Sequence, residues 1–207
     1  MIASKLARDQ SGSTAAEFGL TLPLLMLLLF GIIDTGRWIW TYNQAEKATQ
    51  MGARFAIVTD GLAGDSASGT GIYTSYLGSG GLTQGDLIPP SGFGKITCTS
   101  TGCTCTTTPC PALGTANTTA FNNVVTRMKW FLPSLTAANV TVEYSSSGLG
   151  YAGSPVLPDL SPLVTVKIGT PTPLQFRPLT ILAIRPVNMP PFTTTLSAED
   201  LSGQYSN

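Results

Sequence analysis

Residues 12–33 read GSTAAEFGLTLPLLMLLLFGII and decide the fold of this chain. No Asp, Glu, Lys or Arg lies between Phe18 and Ile33, and most of these residues are Leu, Ile or Phe. Such side chains favour insertion into a bilayer, by about 3 to 7 kcal/mol for the whole stretch. Because a bilayer is spanned by ~20 predominantly apolar residues, we predict a membrane-spanning helix over about residues 16–39.

The flanks of the apolar stretch predict its orientation. Lys5 and Arg8 precede it, whereas the charges of Asp34 and Arg37 follow it and cancel. Cytoplasmic flanks carry the excess of Lys and Arg, so we expect the N-terminal side in the cytoplasm. Aromatic residues, which prefer the headgroup level, follow at the other end: Trp38, Trp40 and Tyr42. A cleaved secretory signal would have a shorter apolar core and a small-residue cleavage site, and neither fits here.

Glu17 is a lone carboxylate at the entrance to the apolar stretch. Near the N-terminus of a helix it would gain ~0.3–1 kcal/mol from the helix dipole, which is the simplest explanation. A carboxylate at a membrane edge is also a functional hypothesis that needs a named partner. The functional hypothesis is favoured because Gly12 and a run of small residues lie just upstream of Glu17.

The run from Gly12 to Phe18 resembles the processing site of type IV pilin-like proteins. The longer run AEFGLTLPLLMLLLFGIIDTGR, residues 16–37, resembles the TadE-like pseudopilins of tight-adherence (Flp) pili. The resemblance implies cleavage by a prepilin peptidase between Gly12 and Ser13. It also implies that Glu17, followed by Phe18, pairs with the N-terminal amine of a neighbouring subunit. Two charges that are costly in apolar surroundings would then neutralise each other.

The same resemblance implies a pseudopilin (minor pilin) that supports pilus biogenesis and surface adhesion. Its partners would be other pilins and pseudopilins of the same pilus, the prepilin peptidase, the inner-membrane assembly platform and the lipid bilayer. The chain would cross the bacterial inner membrane once, with a cytoplasmic leader (residues 1–12) and a periplasmic C-terminal domain that becomes extracellular on assembly. A major pilin is disfavoured, because Flp pilins resemble little more than the helix. The alternative is an uncleaved, membrane-anchored periplasmic binding module with a disulfide-stapled contact loop.

Composition narrows the remaining function classes. The net charge is zero and charged residues make up 11% of the chain, well below the ~25% of ordinary soluble domains. No basic patch suited to nucleic acid is expected. The chain has no histidine, which excludes Ser-His-Asp and Cys-His catalytic sites and most zinc sites. Residues 148–153 fit G-x-G-x-x-G, but prolines follow where a phosphate-binding helix would begin. We therefore expect no enzyme, no cofactor and no metal.

Beyond the apolar stretch, the same helix is predicted to continue, so that it covers residues 13–58. One stripe of aromatic and then small residues recurs at helical spacing, and small residues allow close helix packing. The predicted packing residues are Trp38, Tyr42, Ala45, Ala48, Gly52 and Ala56.

Residues 59–207 predict an α+β domain with a small antiparallel sheet packed on the second half of the long helix. An amphipathic pattern predicts a helix over 117–132, and a weaker pattern predicts a short helix over 179–184. Alternating patterns predict strands over 139–144 and 163–168, paired as a hairpin, with further strands over 93–97 and 192–196.

Four cysteines, Cys98, Cys103, Cys105 and Cys110, lie in a predicted polar loop over 98–110. Their spacing is unlike that of zinc knuckles, and an oxidising compartment favours disulfides. Three pairings are possible, of which a Cys103–Cys105 bridge is disfavoured because its ring would be very tight.

Overall fold

The computed structural model describes residues 11–154, 158–179, 185–198 and 201, with side chains from residue 15 onward. The chain divides into two compact units, one of residues 1–41 with 175–187 and the other of residues 42–174 with 188–207. Most of the predicted leader (residues 1–12) and of the short helix predicted over 179–184 lies outside the described residues.

A single long helix, α1, spans Ser11–Ala56, within two residues of the predicted bounds at each end. Pro23 lies inside it without ending it. Residues 11–41 of α1 belong to the first compact unit and residues 42–56 to the second. The first part is rich in leucine, whereas the second part is rich in alanine and polar residues.

Five strands of the second unit form an antiparallel sheet in the order β2-β1-β3-β4-β7. The strands and the second helix follow α1 along the chain as β1 (Lys95–Thr99), β2 (Gly102–Thr107), α2 (Thr118–Lys129), β3 (Val140–Ser145), β4 (Leu163–Ile168), β5 (Gln175–Phe176), β6 (Val187–Asn188) and β7 (Phe192–Ser197). The strands β5 and β6 pair with each other in a separate two-stranded sheet. The predicted α+β class and the predicted hairpin of β3 with β4 are confirmed.

The inner face of the sheet forms the core of the second unit. Along β4, Val164, Val166 and Ile168 are fully buried, while the residues between them face outward. Tyr144 of β3 lies opposite Val164, and its hydroxyl accepts a hydrogen bond from the backbone N–H of Leu62 at 3.0 Å. Burial raises the pKa of the Tyr144 hydroxyl. The alternation of the sequence therefore corresponds to the two faces of the sheet.

The outer face of the sheet is polar and has a charged centre. Glu143 of β3 lies between Lys167, whose Nζ is 2.7 Å from its carboxylate, and Lys95, whose Nζ is 3.6 Å away. Thr165 of β4 lies opposite Thr195 of β7, and their hydroxyl oxygens are hydrogen-bonded at 2.8 Å. Both lysines are diagonal neighbours of Glu143 on the adjacent strands, within reach of long side chains, so this polar face is compatible with solvent.

The second part of α1 and the helix α2 pack with the sheet in the same unit. The buried residues of α1 here are small: Ala45, Ala48, Thr49, Gly52, Ala53 and Ala56. A Cβ atom added to Gly52 would lie 2.7 Å from the sulfur of Met128 in α2. The absence of a side chain at Gly52 therefore sets how closely α2 approaches α1.

The helix α2 is capped and ended by local signals. Asn117 caps it, because its side-chain oxygen accepts a hydrogen bond from the N–H of Ala120 at 2.9 Å, and Asn is a preferred N-cap residue. The helix is shorter than the predicted 117–132, since it ends at Lys129, before Pro133. Phe121, Val124, Val125 and Met128 are buried, in agreement with the amphipathic pattern.

Asp159 connects several loops of the second unit. It is 3% exposed, and its carboxylate accepts backbone hydrogen bonds from Tyr76 (2.7 Å), Gly153 (3.0 Å) and Ser154 (2.9 Å). The hydroxyl of Ser75 adds a fourth hydrogen bond at 3.2 Å. A buried carboxylate with this number of donors is satisfied, so Asp159 acts as a structural residue here.

The region predicted as a cysteine-rich loop over 98–110 requires a correction. Cys98 lies in β1, and Cys103 and Cys105 lie in β2, which pairs with β1 as an antiparallel hairpin. The sequence of β2, GCTCTT, has no alternation of large apolar residues, so periodicity could not identify it. Pairing with β1 makes it a strand.

The close approach at Gly52 generates a test of the packing. Valine at this position would overlap Met128, and overpacking of a buried site costs about 1–3 kcal/mol. We expect Gly52→Val to lower the free energy of unfolding, measured by urea denaturation of the full chain in detergent. The matched control is Gly36→Val, since a Cβ at Gly36 meets nothing within 4 Å while the change in helix propensity is the same. Equal losses in the two variants would contradict the packing described.

Candidate assembly helix

The first part of α1 is an exposed apolar surface. Leu20, Leu24 and Leu28 are 79%, 72% and 64% exposed, and the intervening leucines are also open to the surroundings. Of the described residues, α1 is the helix long and apolar enough to cross a membrane, and its most apolar window is not buried at all. A contiguous apolar surface of this kind marks a membrane or protein contact.

The predicted processing and assembly residues lie at the N-terminal end of α1. Gly12 and Ser13 belong to its first turn. Glu17 is exposed and Phe18 is 65% exposed. The apolar surface of α1 begins directly after Glu17. In the folded chain, as in the sequence, the carboxylate of Glu17 therefore lies at the edge of this apolar surface.

At the other end of the apolar surface, Asp34 binds a segment that is distant in the chain. Asp34 is 8% exposed, and its two carboxylate oxygens accept the backbone N–H of Leu179 at 2.8 and 2.9 Å. Arg37, one turn further along α1, donates to the same carboxylate at 3.0 Å. Hydrogen bonds to an ionised group are about twice as strong as neutral ones, so this carboxylate holds the segment firmly.

Aromatic contacts extend the same attachment. The ring of Phe176 meets the ring of Trp38 edge-on, with centroids 5.2 Å apart. The guanidinium of Arg37 lies 5.3 Å from the centre of the Phe176 ring, within the range of a cation–π interaction. This cluster was not predicted from the sequence. The sequence feature that could have indicated it is the spacing of Asp34, Arg37 and Trp38, which places these residues on one face of the helix.

The predicted packing residues occur in both compact units. Trp38 is half-buried in the first unit. Tyr42 is half-buried in the second unit, where its ring meets that of Phe192 at 4.9 Å. The negative charge of Glu46 and a hydrogen bond to it raise the pKa of the Tyr42 hydroxyl. The remaining predicted residues, Ala45, Ala48, Gly52 and Ala56, are buried in the second unit.

The cysteines form two disulfides, Cys98–Cys103 and Cys105–Cys110, so the prediction of disulfides is confirmed and the open choice of pairing is resolved. The first bridge joins β1 to β2, and Cys98 is 1% exposed, whereas Cys105 is exposed. Within the described residues, no cluster of carboxylates or cysteines is arranged to hold a metal ion.

The two disulfides differ in burial, and we expect their contributions to stability to differ accordingly. Both close loops with a sequence separation of 5, so chain entropy assigns each about 2 kcal/mol. We expect the double variant Cys98→Ser/Cys103→Ser to lose about 1–3 kcal/mol more than Cys105→Ser/Cys110→Ser, because it leaves a hydroxyl in the core. Chemical unfolding of both variants checks this, and equal losses would contradict it.

Comparison with known proteins adds a similarity to one family over part of the chain. No curated protein and no solved structure matches the chain significantly. Residues 12–54, however, match the family model of the TadE-like proteins. The match begins at the glycine of the predicted cleavage motif and ends near the last turn of α1. The resemblance recognised from the sequence is thus confirmed over α1, where residues 12–54 are similar to the TadE-like proteins.

Proposed function

We propose that this chain is a pseudopilin (minor pilin) of a tight-adherence pilus. The TadE-like match indicates a component of a Tad pilus. The observation that carries the finer proposal is the continuity of α1, which includes the motif Gly12-Ser13, the carboxylate of Glu17 and an uncovered apolar surface in one helix. The function is pilus biogenesis and, through the pilus, surface adhesion.

Before assembly, the apolar part of α1 anchors the chain in the bacterial inner membrane. The bilayer supplies the apolar surroundings that the described chain does not provide for Leu20, Leu24 and Leu28. Lys5 and Arg8 keep the leader (residues 1–12) in the cytoplasm. The sheet domain then lies in the periplasm, an oxidising compartment that agrees with the two disulfides.

Processing prepares the helix for assembly. A prepilin peptidase cuts after Gly12 and removes the basic leader, so that Ser13 carries a new amine. This amine and Glu17 of a neighbouring subunit have opposite charges, and both lie at the edge of an apolar surface. Their pairing removes the cost of two separate charges in apolar surroundings, and it fixes the axial position of one helix against the next.

The role of the chain in this scheme is structural. It is a substrate of the peptidase, it packs with other pilins and pseudopilins of the same pilus, and the inner-membrane assembly platform moves it from the bilayer into the pilus. Small residues in the second part of α1 support the sheet domain, which leaves the leucine-rich part available to neighbouring helices. No catalysis and no cofactor is assigned to it.

A second candidate function follows from the β1–β2 hairpin. Its Cys105 is exposed while two disulfides hold the hairpin and the chain beyond it, a combination that suits a rigid contact surface. In that case the chain is an uncleaved, membrane-anchored periplasmic binding module. The two functions differ in the N-terminus of the membrane-bound form.

Mass spectrometry of the chain purified from membranes separates the two candidates. We expect a mature polypeptide that begins at Ser13, because the motif from Gly12 to Phe18 resembles a prepilin processing site and lies at the start of α1. The variant Gly12→Glu is expected to retain the leader. A membrane form with an intact leader in cells that assemble pili would contradict the proposal and support the anchored binding module.

The role of Glu17 is tested by its replacement. We expect Glu17→Ala to be cleaved like the natural chain and to remain in the membrane without entering pili, because the new amine of the neighbouring subunit loses its partner. The matched control is Glu46→Ala, which removes an exposed carboxylate from the same helix outside the apolar part. Immunoblots of sheared pili measure incorporation, and normal incorporation of the Glu17 variant would refute this role.

A further inference from the structure

The segment 175–179 runs along α1 towards the apolar surface. Phe176 contacts Trp38 and Arg37, and the carbonyl of Arg177 accepts from the guanidinium of Arg37 at 3.4 Å. Three residues after Phe176, the N–H of Leu179 binds Asp34. From Trp38 to Asp34 a helix rises by about 6 Å, so the segment moves by roughly one helical turn towards Ile33 between Phe176 and Leu179.

Several contacts fix the backbone of this segment at its two ends. Asp34 accepts the N–H of Leu179 with both oxygens. At the start of the segment, β5 pairs with β6 (Val187–Asn188), which connects the outgoing and the returning chain. The level of Leu179 along α1 is therefore set by the fold rather than by the freedom of a loop.

The side chain of Leu179 nevertheless has little cover. It is 57% exposed, although its backbone N–H is bound by a carboxylate that is 8% exposed. Ile33, the last residue of the apolar stretch, is 42% exposed, and Val187 on the returning chain is 46% exposed. Leu179 and Ile33, two apolar residues far apart in the sequence, are thus both exposed near Asp34.

Cationic side chains flank the segment along the chain. Arg177 and Arg185 are exposed and lie on the outgoing and the returning chain. Arg37 is half-exposed next to Asp34. Long basic side chains can place their charge at lipid headgroups while their stems cover apolar surface, and anionic lipids attract such residues. Trp40, 68% exposed on the same helix, has the amphipathic ring that is typical of this zone.

We propose that residues 175–179 and 185–187 form a second membrane contact, in which Leu179 enters the bilayer interface beside α1 and Arg177 and Arg185 bind anionic headgroups. This proposal rests on the membrane insertion of α1 under the proposed function. The occupant is the lipid surface, because the uncharged apolar stretch ends at Ile33 and Trp38 and Trp40 follow it, so the headgroup zone of a bilayer spanned by α1 extends from about Asp34 to Trp40. The contact is clamped to α1 by Asp34 and would keep the boundary of the helix at a fixed depth.

Fluorescence quenching in vesicles tests this contact on the full chain. The native cysteines are all disulfide-bonded, so a single new cysteine can carry an environment-sensitive nitrobenzoxadiazole label. The variant Leu179→Cys reports the proposed contact and Leu25→Cys reports insertion of α1. Leu149→Cys is the matched control, because Leu149 is 58% exposed and lies outside the proposed contact, in the other compact unit, so its label shows the quenching of an equally exposed leucine.

The labelled chains are reconstituted at low density into phosphatidylcholine vesicles with a minority of phosphatidylglycerol, with and without spin-labelled lipid as quencher. We expect strong quenching at position 25, quenching at position 179 by lipid labelled near the headgroup, and none at position 149. Adding Asp34→Ala to the position-179 variant should reduce its quenching at least about twofold, because the clamp that sets the level of this residue is lost.

Each other outcome overturns the inference in a distinguishable way. If position 25 is quenched and position 179 is not, α1 inserts as proposed but the second contact does not exist, and another subunit covers Leu179. If positions 179 and 149 are quenched alike, exposure alone accounts for the quenching and the contact is refuted. If position 25 is not quenched, membrane insertion of α1 fails, and the inference that rests on it fails too.

Discussion

The first part of α1 has an apolar surface that no described part of the chain covers, and the rest of the molecule depends on this constraint. Leu20, Leu24 and Leu28 are each more than half exposed. Removing apolar surface from water is favourable by about 25 cal/mol per Å², so a helix of this composition is stable only with a bilayer or with other helices around it. The proposed function supplies both in succession, first the membrane and then the pilus.

One helix therefore serves two environments, and its sequence changes where the environment changes. The leucines of the first part give way to the buried small residues of the second, among them Ala45, Ala48 and Gly52. Small side chains let α2 approach closely, and the sheet completes a core around Tyr144 and the valines of β4. This second part has a domain of its own to cover it, which leaves the leucine-rich part for contacts outside the chain.

The elements that could be predicted from the sequence are those with a strong local period. The strand β4, LVTVKI, has the predicted bounds because every second residue is apolar. The helix α2 begins next to the predicted residue because Asn117 is a local signal, whereas it ends at Lys129, before the predicted end ahead of Pro133. The strand β2 was missed because its threonines and cysteines have no alternation, and its conformation depends on its pairing with β1.

The contacts that could not be predicted join residues far apart in the chain. Asp34 and Leu179 are separated by 145 residues. The carboxylate of Asp34 binds the backbone N–H of Leu179, and because every residue except proline has such a group, the residue type at position 179 gives no indication of this contact. Asp159 is similar, since its partners are mostly backbone N–H groups of loops. At the candidate site, the proposed processing motif and the apolar stretch are apparent from residues 12–33, whereas the hydrogen bonds of Asp34 to Leu179 are seen only in the folded chain.

In the proposed function, the leucine-rich part of α1 lies in a membrane, with the sheet domain on the far side from the leader. Protease added to intact spheroplasts of cells that produce the chain tests this most directly, with the mass of the surviving fragment as the readout. We expect digestion of the sheet domain and survival of a membrane-protected fragment that contains residues 18–33. Complete protection of the whole chain, or release of a fragment containing residues 18–33 into the soluble fraction, would contradict it.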